Sequence, residues 1–252
     1  MENKKIANAN NIPIQFPLYA DPKVPYECPG NRTLTAVCEI DPQVIKMYLE
    51  PTPFTYVDNR FHIYIGDFST AQTGGYWDAA IVIPVRYKDL VGGHFLVEFE
   101  DHDYSIAAGR ELWGYPKKYG KCWMREDEAR IIAVCEKDGV ELIRLEMDKT
   151  TALTQPLPQL RLLPHIQMQV IGRAEGPGVA LKRIITRDSS ADYIADSRIE
   201  HPCAVQLKSH PRSPVADFTP DRVFGARFIV GNHRITDEHG WGTVIDTLVN
   251  EF

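Results

Sequence analysis

The hairpin written into residues 129–147 constrains this 252-residue chain more than any other stretch. Two apolar-rich runs, 129–136 and 140–147, flank Lys137-Asp138-Gly139, and Asp-Gly supplies the positive φ that a tight turn between two strands requires. Further runs at 60–65, 79–86, 93–100 and 104–108 are rich in β-branched and aromatic residues and bounded by turn formers, which predicts strands rather than helices. Runs 166–171, 179–186 and 204–209 continue the pattern. One helix is predicted from a capping Asp41 followed by Pro42, with Val44, Ile45, Met47, Tyr48 and Leu49 as its apolar stripe and Pro51 as its limit. A second is expected to begin within 220–224, ahead of the apolar stretch 226–230. Pro156, Pro158 and Pro164 forbid long regular structure and predict a connecting loop over 154–164 that can lie across a neighbouring surface. Strands read on both sides of that loop, so one domain is the economical reading.

Composition narrows the class. A hydrophobic fraction of 44% supports a sizeable core, and a net charge of -6 gives no overall basic character to attract nucleic acid or an anionic membrane. Cys28, Cys38, Cys122, Cys135 and Cys203 are odd in number, widely spaced and without a CxxC pair. They read as buried free thiols of a reducing compartment, so a cytoplasmic location is expected. Residues 1–11 carry no apolar core of signal-peptide length and read as a disordered leader; the folded body, 12–252, starts at Ile12-Pro13-Ile14. No apolar run approaches the ~18 residues of a membrane span. No HxH or HExxH spacing points to a metal, and no GxSxG elbow points to serine hydrolysis.

The chemistry is concentrated in Gly109-Arg110-Glu111-Leu112-Trp113-Gly114-Tyr115-Pro116-Lys117-Lys118-Tyr119. An amine attacks a ketone only when unprotonated, and at pH 7 about one ordinary lysine in a few thousand is neutral. If Lys118 held its ammonium beside Lys117, in a pocket where Trp113 and Tyr115 exclude water, repulsion and desolvation would both favour the neutral amine. The plain alternative is a pair of lysines on a solvated turn.

This run, with its lead-in Tyr104-Ser105-Ile106-Ala107-Ala108, closely resembles the nucleophile segment of the acetoacetate decarboxylase superfamily. Looser likenesses lie at Asn31-Arg32 followed by Asp41-Pro42, at residues 76–85 and at residues 217–230. The resemblance implies an α+β fold: a single domain, mostly an antiparallel β-barrel or cone with flanking helices, commonly a homo-oligomer. It implies Lys117 as the Schiff-base nucleophile and Lys118 as the cation that lowers its pKa, a device already known from acetoacetate decarboxylase itself. Arg32 becomes the candidate anchor for a substrate carboxylate, its alternative being a surface salt bridge. Where decarboxylating members carry two glutamates, this chain has His62 and Asp78, the candidate proton donors. Trp113 and Tyr115 are candidate cavity walls, and Glu111 either contacts substrate or pairs with Arg110.

Three readings follow. The first is a lyase in which Lys117 forms an imine with a small oxo acid, most simply a 3-oxo acid such as acetoacetate, and carbon dioxide leaves. No cofactor is needed, since the imine is the electron sink. The second uses the same enamine of pyruvate to add to an aldehyde and then lose water. The third is a ligand-binding barrel that retains the lysine pair without turnover.

Overall fold

Alternation of apolar and polar side chains commits most of this chain to sheet. The computed structural model describes residues 10–20 and 23–251. The strands are β1 (Tyr26–Glu39), β2 (Thr55–Tyr56), β3 (Arg60–Phe68), β4 (Tyr76–Tyr87), β5 (Leu90–Glu100), β6 (Lys117–Tyr119), β7 (Lys121–Glu126), β8 (Arg130–Lys137), β9 (Val140–Asp148), β10 (His165–Gly172), β11 (Val179–Arg187), β12 (Ile194–His201), β13 (Cys203–Leu207), β14 (Arg222–Ile235) and β15 (Thr243–Asn250). Among the described residues they form an eleven-stranded sheet, ordered β12-β14-β1-β3-β4-β5-β10-β11-β15 with β2 on β4 and β6 on β5, and a four-stranded sheet, β13-β9-β8-β7. Pairing is antiparallel except where β10 and β6 run parallel to β5. The fold is the expected α+β domain, mostly antiparallel and flanked by helices.

The predicted hairpin is β8–β9, and both turn residues have positive φ, 51° at Asp138 and 79° at Gly139. The predicted first helix is α1 (Pro42–Leu49), with Asp41 Oδ1 accepting from Gln43 N at 2.8 Å. Two expectations fail. Residues 104–108 belong not to a strand but to helix α2 (Asp103–Trp113). Its buried positions Tyr104, Ser105, Ala108, Gly109 and Trp113 recur at helical spacing, and the short apolar lead-in hid that period. Gly114, at φ 73°, ends it: Gly114 N donates to Arg110 O, the bond of a left-handed αL ending, and Tyr115 N donates to Gly109 O. Nor does a helix begin at 220–224. Arg222 and Val223 already pair with Glu39 and Cys38 of β1, so the ladder claims that backbone.

The core lies between the sheets. Leu34, Ala36, Phe61, Ile63, Ile65, Ile81 and Phe99 present one face of the large sheet to Ile131, Ala133, Cys135, Ile143, Leu145 and Met147 of the small one. The opposite face of the large sheet carries Thr33, Thr35, His62, Tyr64, Glu98 and Glu100, and α2 and the 149–164 loop pack across that side. In that loop Pro164 O accepts from Gly93 N at 3.0 Å, and a Cβ at Gly93 would lie 2.4 Å from Leu162 O, so only glycine admits the loop this closely.

Residues 1–9 of the expected leader lie outside the described residues. Asn11 belongs to the folded body: it is buried, accepts from Leu18 N and Tyr19 N, and donates to Tyr19 O. All five cysteines are free thiols, four of them buried, with Cys203 half-buried. Among the described residues no helix is long and apolar enough to cross a membrane.

Candidate active site

Strand register gathers the site. Asp78 of β4 stands opposite Glu100 of β5, Ala80 opposite Glu98, and the parallel β6 brings Lys117 beside Glu98. Because side chains alternate, Lys117 shares a face with both glutamates, while Lys118 shares the face of Phe99 and points into the other side of the sheet. Lys117 Nζ donates to Glu98 Oε1 at 3.0 Å and to Glu100 Oε1. Above it runs α2, with Gly109 at the contact: a Cβ there would lie 2.1 Å from Lys117 Cε. Arg110 Nη1 holds the lysine's backbone by donating to Lys117 O at 3.0 Å. The glycine and arginine of the motif therefore act on the lysine that follows them.

These groups line a cavity of about 110 Å³. Trp113 and Tyr115 form part of its wall, and the Tyr115 hydroxyl meets His165 Nδ1 at 2.8 Å. Asp78 is also in it, with Oδ2 accepting from the Tyr64 hydroxyl at 3.1 Å. Arg187 enters from the end of β11. Its guanidinium lies 4.0 Å from the Trp113 ring centroid, Nε donates to Gly240 O at 2.7 Å, and buried Nη2 has no partner among the described residues. Lys23 completes the charged set, its Nζ 4.6 Å from the Tyr104 ring centroid and 5.0 Å from that of Tyr26.

The electrostatics differ from the sequence expectation. Burial pulls the Lys117 pKa down, but Glu100, Glu98 and Asp78 together outweigh it and raise it above the ordinary lysine range. Lys117 therefore rests as an ammonium among carboxylates. Burial pushes Glu98 up to about 7, with Glu100 adding and Lys117 opposing. Asp78 is pushed well above the usual carboxylate range by burial and then by Glu98 and Glu100. Lys23 is lowered to about 8 by burial, opposed by Glu100 and assisted by Lys117 and Arg187. Ligand atoms of Asp78, Glu98 and Glu100 lie within 4.8 Å of one another, close enough to surround a cation, and two of the three carboxylates bond the Lys117 ammonium.

The Glu98 shift gives a stability prediction. Its pKa is near 7 when folded against an ordinary 4.5, so the native state holds this proton more tightly than the unfolded chain. The contribution is full below pH 4.5 and is lost as pH rises through about 7. Glu98→Gln removes that loss, so the variant's stability relative to the parent should climb across this window in urea denaturation. Parallel curves would show that Glu98 ionises normally.

Four sequence-nominated residues stand elsewhere. Lys118 Nζ donates to Arg212 O and, at 3.5 Å, to Ser213 Oγ, in a separate cavity beside Pro116, Val215 and Phe218. It does not line the cavity of Lys117; among the described residues the second amine there is Lys23. Arg32 shares the core-side face of β1 with Leu34 and Ala36 and bonds Asp67 Oδ2, through Nε at 3.0 Å and through Nη2. The guanidinium that lines the lysine cavity is that of Arg187 instead. Glu111 is exposed and accepts from the Tyr19 hydroxyl at 2.8 Å, without lining the cavity. His62 faces the adjoining chamber beside Arg227, and burial followed by that arginine lowers its pKa to about 4.

Glu98 and Glu100 did leave a signal: two acids spaced by two in an otherwise apolar strand place both carboxylates on one buried face. Arg187, Lys23 and His165 left none, because only tertiary folding brings these separate segments to the lysine.

The family profile for acetoacetate decarboxylase (ADC) matches residues 12–240. An acetoacetate decarboxylase of Burkholderia multivorans is 24% identical over 241 residues, covering 90% of this chain and 94% of that protein. A solved acetoacetate decarboxylase structure superposes with a TM-score of 0.83 at 18% identity, covering 99% of this chain and 100% of the other. The enduracididine biosynthesis enzyme MppR, solved with the condensation product of pyruvate and imidazole 4-carboxaldehyde, superposes with a TM-score of 0.72 at 11% identity, covering 94% and 95%. With the profile spanning nearly the whole chain, the protein belongs to the acetoacetate decarboxylase family.

Proposed function

We propose that this protein is a Schiff-base-forming lyase in which Lys117 attacks the ketone of a small 3-oxo acid and carbon dioxide leaves. The observation that supports this most is the buried Lys117 ammonium, hydrogen-bonded to Glu98 and Glu100 in a cavity of about 110 Å³. That volume is roughly four waters' worth of liquid, room for a short oxo acid.

An ammonium is no nucleophile, but here the acceptor is already in place. When substrate desolvates the cavity, Lys117 passes its proton along an existing hydrogen bond to Glu98 or Glu100. The free amine adds to the ketone carbon, and the carbinolamine loses water to give a protonated imine. The electron pair of the bond to the carboxylate carbon moves into the imine, releasing CO2 and leaving an enamine. A carboxyl whose pKa burial raises, Asp78 or Glu98, returns a proton to the enamine carbon, and water frees the ketone and Lys117. Arg187 orients the departing carboxylate. Three acids nearby keep that carboxylate from being held too tightly, which would retard its loss.

A rival is an aldol addition of a pyruvate enamine to an aldehyde, followed by dehydration. The likeness in fold to MppR bound to a condensation product and the carboxyls around Lys117 whose pKa burial raises favour it. The discriminating experiment is a product assay. Acetoacetate should yield acetone and CO2, with a borohydride-trapped adduct on Lys117 seen by mass spectrometry. An unsaturated product from pyruvate plus aldehyde, without CO2 from acetoacetate, would favour the rival. No adduct with any oxo acid rejects both.

A further inference from the structure

The face that carries Lys117 does not end at the lysine. Register lines up Lys117, Glu98, Ala80, Tyr64, Thr35 and Arg227 as one row across six strands, with the Lys117–Glu98 ion pair at one end and Arg227 at the other. Around the far part of this row opens a second chamber of about 580 Å³. It shares Tyr64, Phe68, Phe95 and His165 with the lysine cavity, so the two adjoin. Their chemistry is opposite. The lysine cavity holds three carboxylates, whereas among the described residues the chamber is lined by Arg161 and Arg227 and by no carboxylate, with the hydroxyls of Thr33 and Thr35 and apolar Val82, Leu160 and Leu162 between them.

Arg227 is mostly buried and spends only Nε on Glu200, at 2.8 Å; its two terminal nitrogens have no partner among the described residues. Glu200 also bonds Arg198, so the three groups carry one net positive charge. Arg161 is exposed and makes no ion pair among the described residues. His62 adds no negative charge. A guanidinium with free nitrogens in a partly dehydrated, acid-free wall is a receptor for a carboxylate. It is not the receptor for the reacting carboxylate, which must lie two carbons from the imine, within the lysine cavity that Arg187 lines.

Resting on the Schiff-base reading above, we infer that the substrate is an oxo acid whose side chain ends in a second carboxylate, with its ketone at Lys117 and its far end at Arg227 and Arg161. Because the row from Lys117 to Arg227 crosses six strands spaced about 4.8 Å apart, the test compares 3-oxo dicarboxylic acids of increasing length, from 3-oxohexanedioate upward, each against the 3-oxo monocarboxylic acid of equal length, with acetoacetate as reference. The readout is the concentration dependence of borohydride trapping on Lys117, which reports imine formation whatever step follows. The parent protein should form the adduct with the dicarboxylate that reaches Arg227 at least about tenfold more efficiently than with the monocarboxylate of equal length. Arg227→Met should bring that ratio close to one. Arg161→Ala, at an exposed side chain whose loss spares the fold, should lower it as well. Equal trapping of both acids at every length, with an adduct from acetoacetate present, overturns the second subsite alone. No adduct from any acid overturns the Schiff-base reading, and the subsite with it.

Discussion

Lys117→Met should form no borohydride-trapped adduct with any oxo acid and lose turnover to background. Methionine fills the same slot beneath Gly109 but has no nitrogen, and no other side chain of the cavity replaces it: Lys23 sits over the Tyr26 and Tyr104 rings, away from the Glu98–Glu100 pair. The substitution also strips the two carboxylates of their ammonium. Removing one partner of a buried ion pair costs about 3–5 kcal/mol, less where the survivors can take up protons. Glu98 and Asp78 hold their protons more tightly when folded and so cost stability as pH rises, and the variant should be better folded at pH 6 than at pH 8. Trapping at pH 6 thus separates lost chemistry from lost structure, and an adduct that persists in the folded variant rejects Lys117 as the nucleophile.

Gly109→Ala should be nearly as damaging to rate while leaving the fold. In an exposed helix the change would stabilise by about 1 kcal/mol. Here the new methyl would lie 2.1 Å from Lys117 Cε and 2.4 Å from Cδ, and real carbons do not approach so closely. The lysine must leave its rotamer or α2 must lift, displacing Nζ from the carboxylates that accept its proton. A shift of about 1 Å at a reacting atom costs roughly 10²-fold. The expected result is a rate of CO2 release or imine trapping down by about that factor, with unchanged circular dichroism. An unaltered rate would show that Lys117 does not react from beneath α2.

What the sequence disclosed depended on how local each constraint was. The Asp138-Gly139 turn and the Asp41-Pro42 cap are satisfied by their own neighbours, and both appear where expected. The strand expected at 104–108 failed because five apolar or small residues fit either period, and the discriminating position, Trp113, lay outside the window. Lys118 misled for a related reason: adjacency in sequence means opposite faces in a strand, and nothing in the run announced that β6 would form. Arg32 and Arg187 show the limit of a local reading. Arg32 lies in the middle of β1 and Arg187 ends β11, and only the pairing of β1 with β3, which gives Arg32 to Asp67, leaves Arg187 as the guanidinium of the lysine cavity.

The opposed directions of Lys117 and Lys118 leave a mark that proteolysis can read. A reduced adduct on Lys117 blocks tryptic cleavage after it, so the modified fragment spans residues 111–118 and carries Trp113 and Tyr115. A reagent that acylates Lys118 from the far side of the sheet blocks the next site instead and yields the fragment 118–121. Two adjoining amines are thereby told apart by peptide length alone, and substrate and surface label report on separate compartments of one three-residue strand.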